Sequence, residues 1–363
     1  SDLNTSVVFF LILLAGFIGL SLESLGLTHF SQNMNSSPES KLTSPKVTPE
    51  TTSAKESEEK FDFTVVSQSS YERVYFLPFW LERWNGPLCI TFFLYGEGAK
   101  IYQQVIRDIV VPSRLTIIAH FADSPEPYPI NMLRNIALSH VKTSHLWLAD
   151  MDMWPAYDLY NTLINLPSSF LSRDDVVTIV PSFEYKLPKG IPCDTFTGCV
   201  QQYKDDLPKV KADVQPCIDK GRCRRFRESS KTHSYHFDEW MTLPSDTYVT
   251  EVPCMLNDIQ EPYVFVKLTK KTPRFDERFV NYGKNKVQWI THLRLLGYKF
   301  YVLSQSFAID VQHPPSQISV DWFSEGKQTN WKTRMHVLVD TFTEEVKRET
   351  TNVRIQTPLC GKQ

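Results

Sequence analysis

Apolar and polar positions divide the chain into stretches of different character. Residues 3–22 contain no charge, and residues 7–20 are almost wholly apolar. About 20 apolar residues in a helix span a bilayer, so residues 1–30 are expected to form a signal anchor. A cleaved signal peptide, whose apolar run is shorter, is the alternative. Residues 31–60 are dominated by Ser, Thr, Pro, Glu and Lys and hold almost no large apolar side chain. Such a segment cannot bury enough surface to offset its ordering entropy, and it is expected to be a disordered stem. Its Ser/Thr/Pro content suits O-glycosylation, and Asn35-Ser36-Ser37 is an N-glycosylation sequon if the stem is lumenal.

From residue 61 onward, apolar runs of strand length alternate with amphipathic helices. Residues 63–66, 88–95, 115–121, 145–149 and 176–180 read as strands. Between them, residues 71–84 have helical length, with a kink expected at Pro78 and a stop at Asn85-Gly86-Pro87. Residues 99–111 place Ile101, Val105, Ile106 and Ile109 on one helical face. Residues 130–140 and 157–166 are further helices. The alternation predicts an α/β domain with a mostly parallel central sheet flanked by helices, over residues 61–350. Strand signal returns at residues 263–268 and 298–303, with a helix over 287–296 between them. A helix over 331–346 precedes a tail, residues 351–363. Neither a G-x-G-x-x-G after the first strand nor a G-x-x-x-x-G-K-[ST] occurs, which argues against a dinucleotide-binding Rossmann enzyme and a P-loop NTPase.

Residues 186–254 lack this periodicity and read as a long excursion pinned by disulfides. Of the seven cysteines, Cys193 and Cys199 are separated by five residues, as are Cys217 and Cys223. Zinc sites more often have two to four residues between paired cysteines, so disulfides within or between these pairs are expected. Cys254 and Cys360 are either a pair or hold one free thiol, and Cys89 reads as a buried free thiol. A basic cluster in the excursion (Arg222, Arg224, Arg225 and Arg227) reads as a solvated face or as an acceptor-binding surface. Over the whole chain, 39 basic residues balance 41 acidic ones, for a net charge of -2. That balance argues against a nucleic-acid partner, which needs a basic surface.

The candidate chemistry lies at Asp150-Met151-Asp152, directly after the apolar run of residues 145–149. In open α/β sheets ligands bind beyond the carboxyl ends of strands. Two carboxylates at that place suit Mn2+ or Mg2+, which would bridge a nucleotide diphosphate. Helix capping is the other use of such a pair. His313, in a stiff Pro-flanked loop, is a further candidate metal ligand, as is Asp310 three residues earlier. The remaining histidines, His145 and His233 among them, read as structural.

Five ordered blocks carry a family resemblance: residues 128–160 around Asp150-Met151-Asp152, 179–185 (IVPSFEY), 261–267 (EPYVFVK), 275–286 (FDERFVNYGKNK) and 313–316 (HPPS). Together they resemble glycosyltransferase family 49, which includes glucuronyltransferases of α-dystroglycan glycosylation, over residues 63–347. The resemblance implies a GT-A fold, a Golgi type II membrane topology with a lumenal body, a Mn2+-dependent UDP-sugar site and inverting transfer. It places Asp150 and Asp152 as metal and UDP ligands, and Asn131 and Arg134 among the donor contacts. His313 matches the second histidine of an H-x-P-H-x-P-S block, with Asp310 where the first histidine stands and Gln312 in place of the intervening proline. The GFGWNK block is NYGKNK here, with Asn281 for Gly and Lys284 for Trp, so the donor or acceptor is open to change.

The implied function is transfer of a sugar from a UDP-sugar to a glycan acceptor on a glycoprotein, with glucuronic acid first and xylose or N-acetylglucosamine as alternatives. Inverting transfer needs a general base. Glu261, Asp276 and Glu277 are the carboxylates in the matching blocks, with Glu261 first because it leads into an apolar strand. The alternative function is a catalytically silent glycan-binding or scaffolding relative.

Overall fold

The computed structural model describes residues 60–125, 127–233, 239–324 and 328–361. The expected anchor, and the expected stem up to residue 59, lie outside them. No helix among the described residues is long and apolar enough to cross a membrane.

The strands, in chain order, are β1 (Phe63–Ser70), β2 (Leu88–Leu94), β3 (Leu115–Phe121), β4 (His145–Leu148), β5 (Met153–Pro155), β6 (Val176–Ile179), β7 (Ser182–Tyr185), β8 (Cys223–Arg225), β9 (Val249–Glu251), β10 (Val264–Lys267), β11 (Lys299–Leu303) and β12 (Ala308–Asp310). The larger sheet runs β3-β2-β1-β4-β10-β6-β11-β9. β1 to β4 run parallel to one another, and β11 runs parallel to β6. β10 lies antiparallel between β4 and β6, and β9 lies antiparallel on the outer edge of β11. The expected α/β architecture is therefore present, but the sheet is mixed where a mostly parallel one was expected, with antiparallel pairings on both sides of β10 and at β9. The continuous apolar runs follow from burial on both faces: β1, β2, β4 and β6 have no exposed position.

Two local expectations change. β1 extends four residues beyond Val66 because Ser67, Gln68, Ser69 and Ser70 continue the ladder against Ile90, Thr91, Phe92 and Phe93 of β2. Its polar end is buried and reaches the cavity described below. Pro78 starts a helix instead of kinking one. Tyr71–Phe76 forms a 3-10 turn, and the α-helix Leu77–Arg83 begins beside Pro78, where a missing N–H costs nothing.

A second sheet, β5-β12-β7-β8, was not signalled by the hydrophobic pattern. Its strands have only three or four residues, too few to show a period. Pro181 ends the first ladder, and its carbonyl accepts the Ala308 amide (2.8 Å), which launches β12 alongside β7. Disulfides join Cys193 to Cys199, Cys217 to Cys223 and Cys254 to Cys360, and Cys89 is a buried free thiol. Residues 351–361, read as a tail, lie against the body. Thr357 is buried and its Oγ1 accepts the Phe300 amide (3.0 Å), while the Met255 amide donates to the Pro358 carbonyl and the Met255 carbonyl accepts the Cys360 amide (each 2.8 Å).

Trp147 on β4 packs against Trp80 and Trp84 (ring centroids 5.8 and 5.5 Å apart), and all three are fully buried. Trp154, Trp289 and Phe63 are likewise core residues. Burying such rings removes large apolar areas from water and fixes the helix Leu77–Arg83 against β4.

Candidate active site

Strand order turns at the β1/β4 boundary: β2 and β3 lie on one side, and β4 and its neighbours on the other. Ligand sites in open α/β sheets form at such a crevice. The ladder ends where the Ala149 amide donates to the Val66 carbonyl (3.2 Å). The chain then turns through Asp150-Met151-Asp152 into β5. The Met151 side chain is buried, and its carbonyl accepts two indole N–H groups, from Trp80 (2.8 Å) and Trp154 (3.1 Å). This anchored turn places Asp150 and Asp152 together on the wall of a cavity of about 640 Å³, within the usual size of small-ligand sites.

Asp150 is surrounded by donors. Arg134 reaches its Oδ1 (3.2 Å), and Lys286 Nζ and the Tyr263 hydroxyl reach its Oδ2, each at 2.9 Å. Burial alone would raise this carboxyl, but Lys286 and Arg134 outweigh it and hold it far below the usual range. Arg134 is buried on the helix Ile130–Ser139, one turn from Asn131. It also donates to Asn131 Oδ1 (3.0 Å) and Asn285 Oδ1 (2.8 Å). Asn131 does not line the cavity; its amide supports the Asp276 and Asn285 carbonyls (2.9 and 3.4 Å), so it positions Arg134 and the loop opposite.

Asp152 meets Arg73 (3.4 Å) and His313 Nε2 (3.0 Å). Burial again raises it, but the His313 hydrogen bond and the Arg73 charge hold it below the ordinary value. Asp310 behaves oppositely: burial, then the charges of Asp152 and Glu184, push it well above. β12 places Asp310 in register between Glu184 of β7 and Met153 of β5, which brings these acids to one end of the second sheet. Among the described residues, no three His, Cys, Asp or Glu side chains form a ready metal cluster. The donor chemistry still fits a hard divalent cation, because Asp152, Asp310 and His313 share the cavity wall and Asp310 lies in an excess of negative charge that a cation would relieve.

The NYGKNK loop closes the opposite wall. Asn281, Gly283 and Lys284 all have positive φ (56°, 89° and 62°). Asparagine and glycine tolerate that region, whereas a lysine there is strained. The loop is fixed because Asn281 and Tyr128 exchange two bonds, both 2.7 Å, and it leads into the helix Asn285–Leu295. Lys284 lines the cavity. Arg278 is instead bound to Asp276 and Glu345 (2.6 and 2.5 Å).

Of the three base candidates, Glu261 lines the cavity. Asp276 holds Arg278, and Glu277 accepts from Asn135 (2.8 Å); neither lines it. Sequence reasoning did not single out Arg73, Gln68, Glu184, Tyr263 or Lys286. Tyr263 and Lys286 lay within the blocks already noted (EPYVFVK and NYGKNK). Arg73 and Gln68 carried no signal, because the β1 ladder was not expected to run so far.

Comparison with known proteins gives the chain distant relatives. It is 29% identical to the xylosyl- and glucuronyltransferase LARGE1 of Homo sapiens over 293 residues, 79% of this chain and 35% of that protein. It is 30% identical to LARGE2 of Mus musculus over 267 residues, 70% of this chain and 35% of that protein. The chain thus spans about a third of the length of these relatives. Among solved structures, it is similar to GalNAc-T7 with UDP, GalNAc and Mn2+ at 9% identity and a TM-score of 0.46, over 82% of this chain and 52% of that one. A family model described as "Glycosyl-transferase for dystroglycan" matches residues 113–349, more than half of the chain, and the chain belongs to this glycosyltransferase family.

Proposed function

We propose that the chain is a UDP-sugar-dependent inverting glycosyltransferase of GT-A architecture that extends a glycan on a glycoprotein. The observation that carries this reading is the cavity at the β1/β4 crevice, where Asp150 and Asp152 face Arg73, Arg134 and Lys286. The combination suits a ligand with both a diphosphate and a metal. Mn2+ is the cation of choice and Mg2+ the alternative, held by Asp152, His313 and Asp310 with Asp150 beside them. When bound, it would neutralise charge on the leaving diphosphate.

The chain's own residues do the rest. Arg73, a partly buried guanidinium on the cavity wall, and Lys286 offer positive charge to the donor's phosphates. Glu261 takes the proton of the acceptor hydroxyl as it attacks the anomeric carbon. Glucuronic acid is the first donor to test, and xylose and N-acetylglucosamine follow; xylosyl- and glucuronyltransferase are the activities in the relatives' names. A type II Golgi membrane location, with the body lumenal, accords with the three disulfides.

One observation favours a second reading, a catalytically silent glycan-binding relative. Both carboxylates of Asp150-Met151-Asp152 are ion-paired with protein cations. Calorimetric titration with UDP separates the two. The first reading predicts that Mn2+ tightens UDP binding by about tenfold or more, worth about 1.4 kcal/mol. A heat of binding absent with and without Mn2+ favours the silent relative.

A further inference from the structure

His233 is a buried imidazole with unused hydrogen-bonding capacity. Its side chain is 2% exposed, and among the described residues neither ring nitrogen has a hydrogen-bond partner. It stacks on Tyr263 (centroids 5.9 Å, 26°) and meets Phe226 edge to face (4.6 Å, 73°). Leaving a buried donor and acceptor unpaired costs about 1–3 kcal/mol. A buried group left so in a native structure calls for a physical reason, and a role in catalysis is one of the few available.

The nearest carboxylate is Glu261, with Oε1 3.8 Å from Nε2. That is beyond hydrogen-bond reach, and closing it takes a shift of about 1 Å. The two are brought together by the backbone: the Glu261 amide donates to the Thr232 carbonyl at 2.7 Å, which lays the residue before His233 beside the EPYVFVK block. Glu261, Phe226 and Tyr263 line the cavity, whereas His233 does not. His233 therefore reaches the reaction only through Glu261.

The groups facing this pair set its charge. Burial, then Lys286 and Arg227, drive His233 well below the ordinary histidine value, against a smaller opposing effect of Asp150. The ring is neutral at physiological pH and carries one N–H. Arg227, on the cavity wall, brings Nη1 to 3.9 Å from Glu261 and is 57% exposed. Glu261 is thus flanked by a half-exposed cation on the cavity wall and by a neutral buried donor.

We propose that His233 is a positioning residue for glycosyl transfer, whose ring N–H holds the Glu261 carboxylate aimed at the acceptor hydroxyl once the acceptor fills the cavity. This rests on Glu261 being the base. In the step itself, the acceptor O–H bond breaks and its proton passes to Glu261. The acceptor oxygen bonds to the anomeric carbon, and UDP leaves with the electron pair of the broken bond. His233 stays neutral throughout. Catalytic hydrogen bonds that are long in the free enzyme commonly tighten when substrate binds.

The test compares His233→Phe, which keeps the ring stack but has no N–H, with His233→Gln, which keeps a donor. Both are assayed in the full chain with Mn2+, UDP-glucuronic acid, UDP-xylose and UDP-N-acetylglucosamine, and a glycan acceptor. Thermal melting is followed in parallel. The Phe variant is expected to lose about tenfold or more in kcat, with KM for the donor within about twofold. The acid limb of its kcat profile, which reports the substrate-bound enzyme, moves to higher pH, because loss of the N–H disfavours the ionised carboxylate. The Gln variant recovers most of the rate.

A folded Phe variant with the parent's kcat and pH profile overturns the inference alone. So does a folded Gln variant as slow as Glu261→Gln, which also decides the matter if the Phe variant does not fold. No transfer by the unsubstituted chain overturns the functional reading and this inference together. An unimpaired Glu261→Gln removes the base and the role of His233 with it.

Discussion

Arg134 joins three parts of the molecule through one guanidinium: Asn131 on its own helix, Asn285 at the start of another, and Asp150 at the end of β4. From the sequence alone its natural alternative is a surface salt bridge. The structure instead buries it, and Phe275 stacks within 5.4 Å of its guanidinium carbon. Removing one partner of a buried ion pair leaves the other charge uncompensated, typically at about 3–5 kcal/mol. Lys286 still faces Asp150, so Arg134→Ala is expected near the low end, about 3 kcal/mol, by urea denaturation. A loss below about 0.5 kcal/mol, the range of ordinary surface changes, would mean that the guanidinium does not hold these groups. Lysine is not an adequate replacement, because it has no planar fork to reach three oxygens.

At the scale of elements, β4 sets both the core and the site. His145 opens it, stacked on Phe63 (4.6 Å, 28°), and burial, then Lys267, lower its ring to about 4 from the ordinary 6.5. The charged ring is disfavoured only in the folded chain. Its contribution to stability is therefore fully present above about pH 6.5 and is lost as pH falls toward 4, up to roughly 3 kcal/mol. His233 and His292 are depressed in the same sense, so the slope is shared. Thermal melting at pH 7 and pH 5 should show a smaller drop for His145→Phe than for the unsubstituted chain; an equal drop would remove His145 from the account. The long strands and helices were legible because β1, β2, β4 and β6 are buried on both faces and their apolar runs are continuous. The second sheet was not, because three-residue strands such as β5 and β12 are held by backbone register and carry no pattern of their own.

At the scale of the whole molecule, the cavity gathers residues far apart in sequence: Arg73 after β1, Asp150 and Asp152 after β4, Glu184 on β7, Glu261 before β10, the NYGKNK loop and Asp310-to-His313. Asp150, Asp152, Asp310, His313 and Glu261 were legible as candidates because short motifs mark them. Their neutralising partners Arg73 and Lys286 were not, since a single basic residue looks alike whether it is solvated or aimed at a carboxylate. The net charge of -2 conceals this local concentration of opposite charges.

The most direct test is a screen of UDP-glucuronic acid, UDP-xylose and UDP-N-acetylglucosamine for transfer or hydrolysis by the purified chain, with and without Mn2+, alongside Asp150→Asn/Asp152→Asn. Turnover of at least one donor is expected to require the cation and to fall by at least about 100-fold in the double variant, since developing charge is then left unsupported. Turnover that persists undiminished in the double variant would contradict the assignment of the site, and turnover of no donor under any condition would contradict the function.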